Sequence, residues 1–459
     1  LTPQSAYEIL FTGYENEILD CERERNVSMD PDTIDFFTDQ TVVGDPYPYL
    51  RALRERSPVT REPHHNVMMV TGWDEACAVA GNAEVFSSCI AVTGPFPGFP
   101  VPLDGDLGGE TVASLIDKHR DELPFSDQLP TLDPPTHTNH RALLMRLLTP
   151  KRLKENEDAM WELADAVLDD FLAPGAGEFI SGFAAPFTLL VIADLLGVPD
   201  EDRDDFVKNM HHNVGGGVGS TDAKALAHSP LEFLYATFAG YIADRRSAPR
   251  DDVLTGMAEA TFPDGSVPDP MDVAKVAANV YSAGQETTVR LLGSALKIIA
   301  EQPDIQQRLR DDRSLIPNFI EEVLRFESPV KGDFRLSRVD TEIGGVHVPA
   351  GTTLMVLAAG ANRDPRRFTD PETFDPARSN ARQHITFGRG IHSCAGAPLA
   401  RAETRIALER LLDRTTDIRI SDDLHGPEGA RQYQYIPTYI LRGLIQLNLE
   451  FTPVERAER

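Results

Sequence analysis

Phe387-Gly388-Arg389-Gly390-Ile391-His392-Ser393-Cys394-Ala395-Gly396 is the stretch on which the reading of this chain turns. A run with helical apolar spacing follows it, through Leu399, Ala402, Ile406, Ala407 and Leu411. A cysteine just ahead of a helix has its thiolate stabilised by the positive helix end and by nearby backbone N–H groups. Pro398 suits the first helical turn, where no N–H partner is lost. Gly388, Gly390 and Gly396 let the backbone turn tightly and come close to a flat group. A lone cysteine would ordinarily be a buried structural residue. Here six positions fit one pattern, F-G-x-G-x-H-x-C-x-G. Chance agreement at average residue usage is about 10⁻⁸ per starting position. Zinc does not account for His392 and Cys394, because no second Cys/His cluster lies at ligand spacing.

This segment resembles the haem-binding loop of cytochromes P-450. The resemblance implies that Cys394 is the proximal ligand of haem b, with Phe387 beneath the ring near the sulfur and His392 on a propionate. Gly388 and Gly396 belong to the same cradle. A thiolate is the electron-rich axial ligand that O–O cleavage on haem iron requires.

Upstream, residues 271–296 read as one long helix, with Val273, Val276, Ala277, Val280 and Ala283 as its apolar stripe. Ala283-Gly284-Gln285-Glu286-Thr287-Thr288 interrupts that stripe. Glycine followed by two threonines lowers helix propensity, so a local break is expected where O₂ lies against the helix. The segment resembles the family's oxygen-activation motif, which implies that Glu286 and Thr287 deliver protons. By the same resemblance, an intact acid–alcohol pair implies O₂ with two electrons from a partner rather than direct use of peroxide.

Glu322 and Arg325 are spaced to pair on one helix face. By resemblance they are the E-x-x-R pair, with Arg378 as the third member of a structural triad. His137 and Arg141 stand one turn apart at a helix start, and Arg335 follows the E-x-x-R helix. Carboxylates favour fork-shaped cationic partners, and by resemblance His137, Arg141 and Arg335 bind the haem propionates.

The wider chain is consistent with this. It has 459 residues and a formal net charge of −28, which disfavours nucleic acid and anionic lipid as partners. Its four cysteines are too few for a disulfide framework, so a reducing cytoplasm is expected. The charged residues 1–25 do not read as a signal peptide or anchor, and no apolar run is long enough to span a membrane.

Length alone suggests two domains. The resemblance instead implies a mainly α fold with a minor β region, one large cytochrome P-450 domain over 41–459 around a buried haem. Residues 1–40 are set apart as an extension. A helix is expected near 49–54, strands near Val59 and 67–70, and a Gly/Pro-rich loop over 93–110. From 141 to about 307 the pattern is helical, interrupted by a flexible Gly-rich connection at 214–220. Strands at 343–348 and 352–357 are expected to be joined by Pro349-Ala-Gly351, and a hairpin is expected at 435–440.

The function implied is a soluble, bacterial-type, monomeric monooxygenase without a membrane anchor. It would take O₂, a hydrophobic terpenoid-, steroid- or aromatic-like substrate, and electrons from a ferredoxin with its reductase. Phe96, Phe99, Val280, Val330 and Ile436 are candidate apolar contacts, and Asn279, Lys331 and Asp333 polar ones; further contacts are expected around 208–232. Arg146, Lys151, Arg152, Arg389 and Arg401 would form a basic ferredoxin dock. The alternatives are a non-catalytic haem-thiolate sensor and a peroxide-driven peroxygenase.

Overall fold

The computed structural model describes residues 30–203 and 232–454. Residues 1–29, the Gly-rich 214–220 and nearly all of 208–232 lie outside that range. Toward the N-terminus come α1 (Tyr47–Arg56), β1 (Val59–Arg61), β2 (Met68–Val70), α2 (Trp73–Ala80), β3 (Phe86–Ser87) and α3 (Val112–His119). The helical body follows as α4 (Thr136–Leu147), α5 (Pro150–Leu172), then β4 (Ala176–Glu178), α6 (Ala185–Leu196), α7 (Glu232–Ser247) and α8 (Val253–Ala258). Next are α9 (Pro270–Glu301), α10 (Pro303–Asp311) and α11 (Ile316–Phe326). The remainder includes β5 (Asp333–Ser337), β6 (Thr341–Ile343), β7 (Val346–Val348), β8 (Thr353–Val356), α12 (Ala397–Arg414), β9 (Thr415–Ile420) and β10 (Asn448–Pro453), with two one-turn helices at Ala358–Ala361 and Asp422–His425. The chain is thus mainly α with minor β sheets.

Helix α9 organises the body. Its start is fixed by Asp269, whose carboxylate accepts the Met271 N–H at 2.8 Å, and by Pro270 in the first turn. It packs against α4, α6, α7, α11 and α12. A helix covered on so many sides must be apolar almost all round, and residues from Val273 to Ala300 fill the centre of the largest core. Helix α5 is capped by Thr149 and opened by Pro150 in the same way.

The main sheet runs β1-β2-β8-β5-β3, with β2 and β8 parallel and the other pairs antiparallel. A second core on this sheet gathers Phe96, Phe99, Val330 and Ile436, four of the five apolar residues expected to contact substrate. Val280 packs instead against the helical core. Phe36 and Phe37, within the stretch set apart as an extension, are buried in the sheet-side core.

Two strand expectations need correction. Segment 343–348 is not one strand. It is the tip of a hairpin in which β6 pairs with β7 across Gly344-Gly345, a dipeptide that favours a two-residue turn. Pro349-Ala-Gly351 then leads into β8, which pairs with β2 and β5 rather than β7. Residues 435–440 form no ladder either. Isolated bridges join Tyr435 to Leu444 and Val330 to Leu441, and Pro437 has no N–H to extend them. The helical stretch after residue 141 is also broken by β4, which pairs with β10.

Candidate active site

Cys394 lies between a short 3₁₀ turn, Gly390–His392, and the first residue of α12. Its N–H donates to the Phe387 carbonyl at 2.7 Å, closing the loop. Gly388 and Gly390 have φ of +67° and +70°, the left-handed region that glycine enters without penalty. A Cβ on Gly390 would sit 2.5 Å from the Ala80 carbonyl, so that glycine packs on the end of α2, whereas a Cβ on Gly388 would make only an ordinary contact with the His392 carbonyl at 3.7 Å. Gly396 has an ordinary φ of −78°. It presents its N–H to the Cys394 sulfur, as Ala397 does.

The sulfur's surroundings have opposing effects. Burial pushes the thiol up, while the Gly396 and Ala397 N–H groups, Arg141 and Arg401 favour the thiolate. Cys394 is closely surrounded by protein and yet has an open face. That combination marks a residue lining an interior chamber. The middle of α9 shows the same feature: Ala283 is exposed and Thr287 half-exposed on a helix that is otherwise mostly buried. Helices α9 and α12 pack on each other.

Four of the expected cofactor contacts converge beside the cysteine loop. The rings of His137 and His392 lie 4.2 Å apart, and the Nε2 of each is buried without a hydrogen-bond partner among the described residues. Burial, helped by Arg141, holds His137 down at about 4. Burial, helped by Arg335 and His137, holds His392 at about 3. Arg141 donates to the Ser393 carbonyl at 2.6 Å. Arg335, buried on β5, donates to Asp333 at 2.7 Å and to the Phe334 carbonyl at 2.6 Å. Two imidazoles with buried, unpartnered nitrogens, two guanidiniums and an N–H-facing thiol fit the two carboxylates and the iron of a haem.

The sequence did not reveal what positions His137. Asp133 accepts from Ser87 (2.5 Å), the Ser88 N–H (2.9 Å), Arg120 (2.7 Å) and Arg338 (2.9 Å), which ties the start of α4 to the main sheet. An aspartate ahead of two prolines gives no hint in sequence of four partners so distant along the chain.

On the oxygen side the expected helix break is absent. Helix α9 is continuous from Pro270 to Glu301. Thr287 Oγ1 donates to the Ala283 carbonyl at 2.9 Å, so its side chain is satisfied within the helix. Gly284 does not open space for O₂ either, because a Cβ there would meet Ile192 Cδ1 of α6 at 2.9 Å. Glu286 is ion-paired to Arg290 at 3.0 Å, and Arg290 also donates to the Leu444 carbonyl at 3.0 Å.

The charge framework beneath the loop is buried. Arg325 makes two bonds of 2.7 Å to Glu322, both side chains at 0% exposure, and Arg378 adds a third at 3.0 Å. Phe387 is placed by a neighbouring set. The Arg401 guanidinium lies 4.6 Å from its ring centroid and is bidentate to Glu321, which also binds His384. Arg401 is therefore engaged internally, and Arg152 is tied to the Leu195 carbonyl at 2.8 Å. Arg146, Lys151 and Arg389 remain exposed, with Lys151 paired to Glu155 at 3.6 Å.

Comparison with known proteins bears on the same residues. The chain is 35% identical over 387 residues to Cytochrome P450 144 of Mycobacterium tuberculosis, covering 83% of this chain and 85% of that protein. The chain belongs to the cytochrome P450 family. A profile of that family, Cytochrome P450, matches residues 242–416, which include the Glu286-Thr287 pair, the Glu322–Arg325 pair and the Cys394 loop. The monooxygenase PikC of Streptomyces venezuelae is 31% identical, with 92% of this chain and 94% of that one covered. Among solved structures, substrate-free P450 CYP150A6 of Mycobacterium marinum superposes with a TM-score of 0.86 at 51% identity, over 93% of this chain and 100% of that one. This P450 accordingly has the family's mainly helical fold and is a monooxygenase. The family implies a haem cofactor.

Proposed function

We propose that this P450 inserts one atom of O₂ into a hydrophobic small molecule, with haem b held by Cys394 and two electrons supplied by a ferredoxin and its reductase. The observation that carries the reading is the enclosed but open-faced sulfur of Cys394, with backbone donors aimed at it. Haem bound there would supply the O₂ chemistry, with Cys394 as the residue that would hold its iron.

The protein's own residues position and protect. His137, Arg141, Arg335 and His392 would hold the two propionates. Phe387 packs near the sulfur, while Gly388 and Gly396 keep the cradle free of side chains. Thr287 holds a proton donor against the chamber; its hydroxyl keeps acceptor capacity beside the bond to Ala283. Glu286, with its side chain 29% exposed, takes up protons from outside and passes them inward, Arg290 holding it meanwhile.

For the substrate, the sheet-side core gathers Phe96, Phe99, Val330 and Ile436. That apolar cluster suits contact with a terpenoid-, steroid- or aromatic-like molecule. A related P450, CYP109E1 of Bacillus megaterium, is solved in complex with corticosterone at 26% identity and a TM-score of 0.73, which supports a substrate of that size. For the electron donor, exposed Arg146, Lys151 and Arg389 give an acidic ferredoxin its contact. The same proposal places the enzyme in the cytoplasm as a monomer. Among the described residues Cys77, Cys89 and Cys394 form no disulfide, as reducing surroundings allow. No helix among the described residues is long and apolar enough to cross a membrane.

The test is turnover of a steroid and terpenoid panel under ¹⁸O₂ with a surrogate ferredoxin and reductase. A product carrying one ¹⁸O is expected. Oxidation only with added hydrogen peroxide would contradict the electron-partner reading.

A further inference from the structure

Away from the cysteine loop, a cleft of about 490 Å³ opens between α1, the end of α11 and the C-terminal segment. None of the residues assigned to haem, O₂ or substrate lines it. Its wall is a ladder in which aromatic rings and guanidiniums alternate. Arg442 lies 4.0 Å from the Tyr435 ring centroid and 5.1 Å from that of Tyr47. Arg363 lies 3.4 Å from the Tyr47 ring centroid and 4.1 Å from that of Phe326. Such contacts hold rings rigid and desolvated, so the wall is built before any ligand arrives.

Charge decides what the cleft accepts. Arg442 is neutralised by Glu327 at 2.7 Å and Arg363 by Glu372 at 2.6 Å. Lys297, also at the cleft, is paired with Glu301 at 2.7 Å. Asp45 turns its carboxylate to the Tyr47 N–H at 3.2 Å, at the start of α1. Arg51, one turn further along α1, is exposed at the cleft and makes no ion pair or hydrogen bond among the described residues. On a chain of net charge −28, an aromatic-walled cleft with a free guanidinium at its mouth stands out.

We propose that this cleft is a second small-molecule site, separate from the haem chamber, for an aromatic carboxylate whose ring lies against the ladder and whose acid meets Arg51. The volume is in the range of small-ligand sites, and one or two fused rings fill it.

The probe is 2-naphthoate, measured by equilibrium dialysis against the full-length holoenzyme. Saturable binding that leaves the Soret band unmoved is expected. Arg51→Glu, an exposed change, should raise Kd about tenfold, as loss of a charge-assisted bond would. Tyr435→Ala should also weaken binding, while Lys154→Glu, an exposed charge reversal outside the cleft, should leave Kd unchanged. Neutral 2-naphthol should bind several-fold more weakly than naphthoate. The proposal is overturned if no saturable binding is seen, if Arg51→Glu has no effect, if naphthol binds as well, or if a Soret shift follows the same titration midpoint.

Discussion

Gly284 of α9 is pressed against Ile192 of α6, and a Cβ added to it would lie 2.9 Å from Ile192 Cδ1. The glycine in the oxygen-helix motif therefore serves helix packing. Two effects compete on Gly284→Ala: about 1 kcal/mol of gained helix propensity and roughly 1–3 kcal/mol of overpacking. Alone, the substitution should be neutral or destabilising. In an Ile192→Val background, which removes Cδ1, it should stabilise by about 1 kcal/mol. Urea midpoints of the four proteins measure this, and equal effects in both backgrounds would refute the packing role.

The Glu322–Arg325 pair is fully buried, so breaking it from one side leaves a charge without its main partner. Arg325→Met should cost about 3–5 kcal/mol and much of the soluble holoprotein. Glu322→Gln combined with Arg325→Met should cost clearly less than the sum of the single changes. Additive losses in that cycle would show that the two side chains act independently.

Thr287→Ala should preserve substrate binding yet lower product formed per electron pair roughly tenfold, the deficit appearing as hydrogen peroxide. Peroxide yield and reductant consumption, followed together, read this out. Unchanged coupling would remove the proton-holding role from Thr287.

Glu321 gives a pH dependence. Burial alone would raise its carboxyl, but bonds from His384 and Arg401 outweigh burial and hold it at about 2, below the ordinary 4.5. The Thr386 N–H donates to His384 Nδ1 at 3.2 Å, so Nε2 carries the proton donated to Glu321. A folded-state pKa below the unfolded one stabilises above about 4.5, and that contribution is lost as pH falls toward 2. It amounts to on the order of 2–3 kcal/mol. The stability gap between wild type and Glu321→Gln should therefore shrink from pH 6 to about pH 3; a constant gap would contradict this.

What could be read in the sequence was whatever depends on neighbours a few residues apart. The Cys394 loop, the i, i+3 pair Glu322–Arg325 and the periodicity of α9 are local patterns, and each has its counterpart in the structure. Features set by tertiary contact were not legible. Gly284 looked like a helix breaker because its partner Ile192 lies 92 residues away in sequence. Arg401 looked like a surface charge because Glu321 was not visible as its partner. The pairing of β8 with β2 and β5 is likewise non-local, so alternation located the strand and misjudged its neighbour.

The central claim is that Cys394 is a thiolate on haem iron, and carbon monoxide tests it most directly. In the dithionite-reduced holoenzyme, CO should give the strongly red-shifted Soret band of a thiolate-ligated haem. Cys394→His should keep haem and shift that band to the blue, as in imidazole-ligated proteins. A folded, haem-loaded wild type that lacks the red-shifted band, or a histidine variant that retains it, would contradict the account.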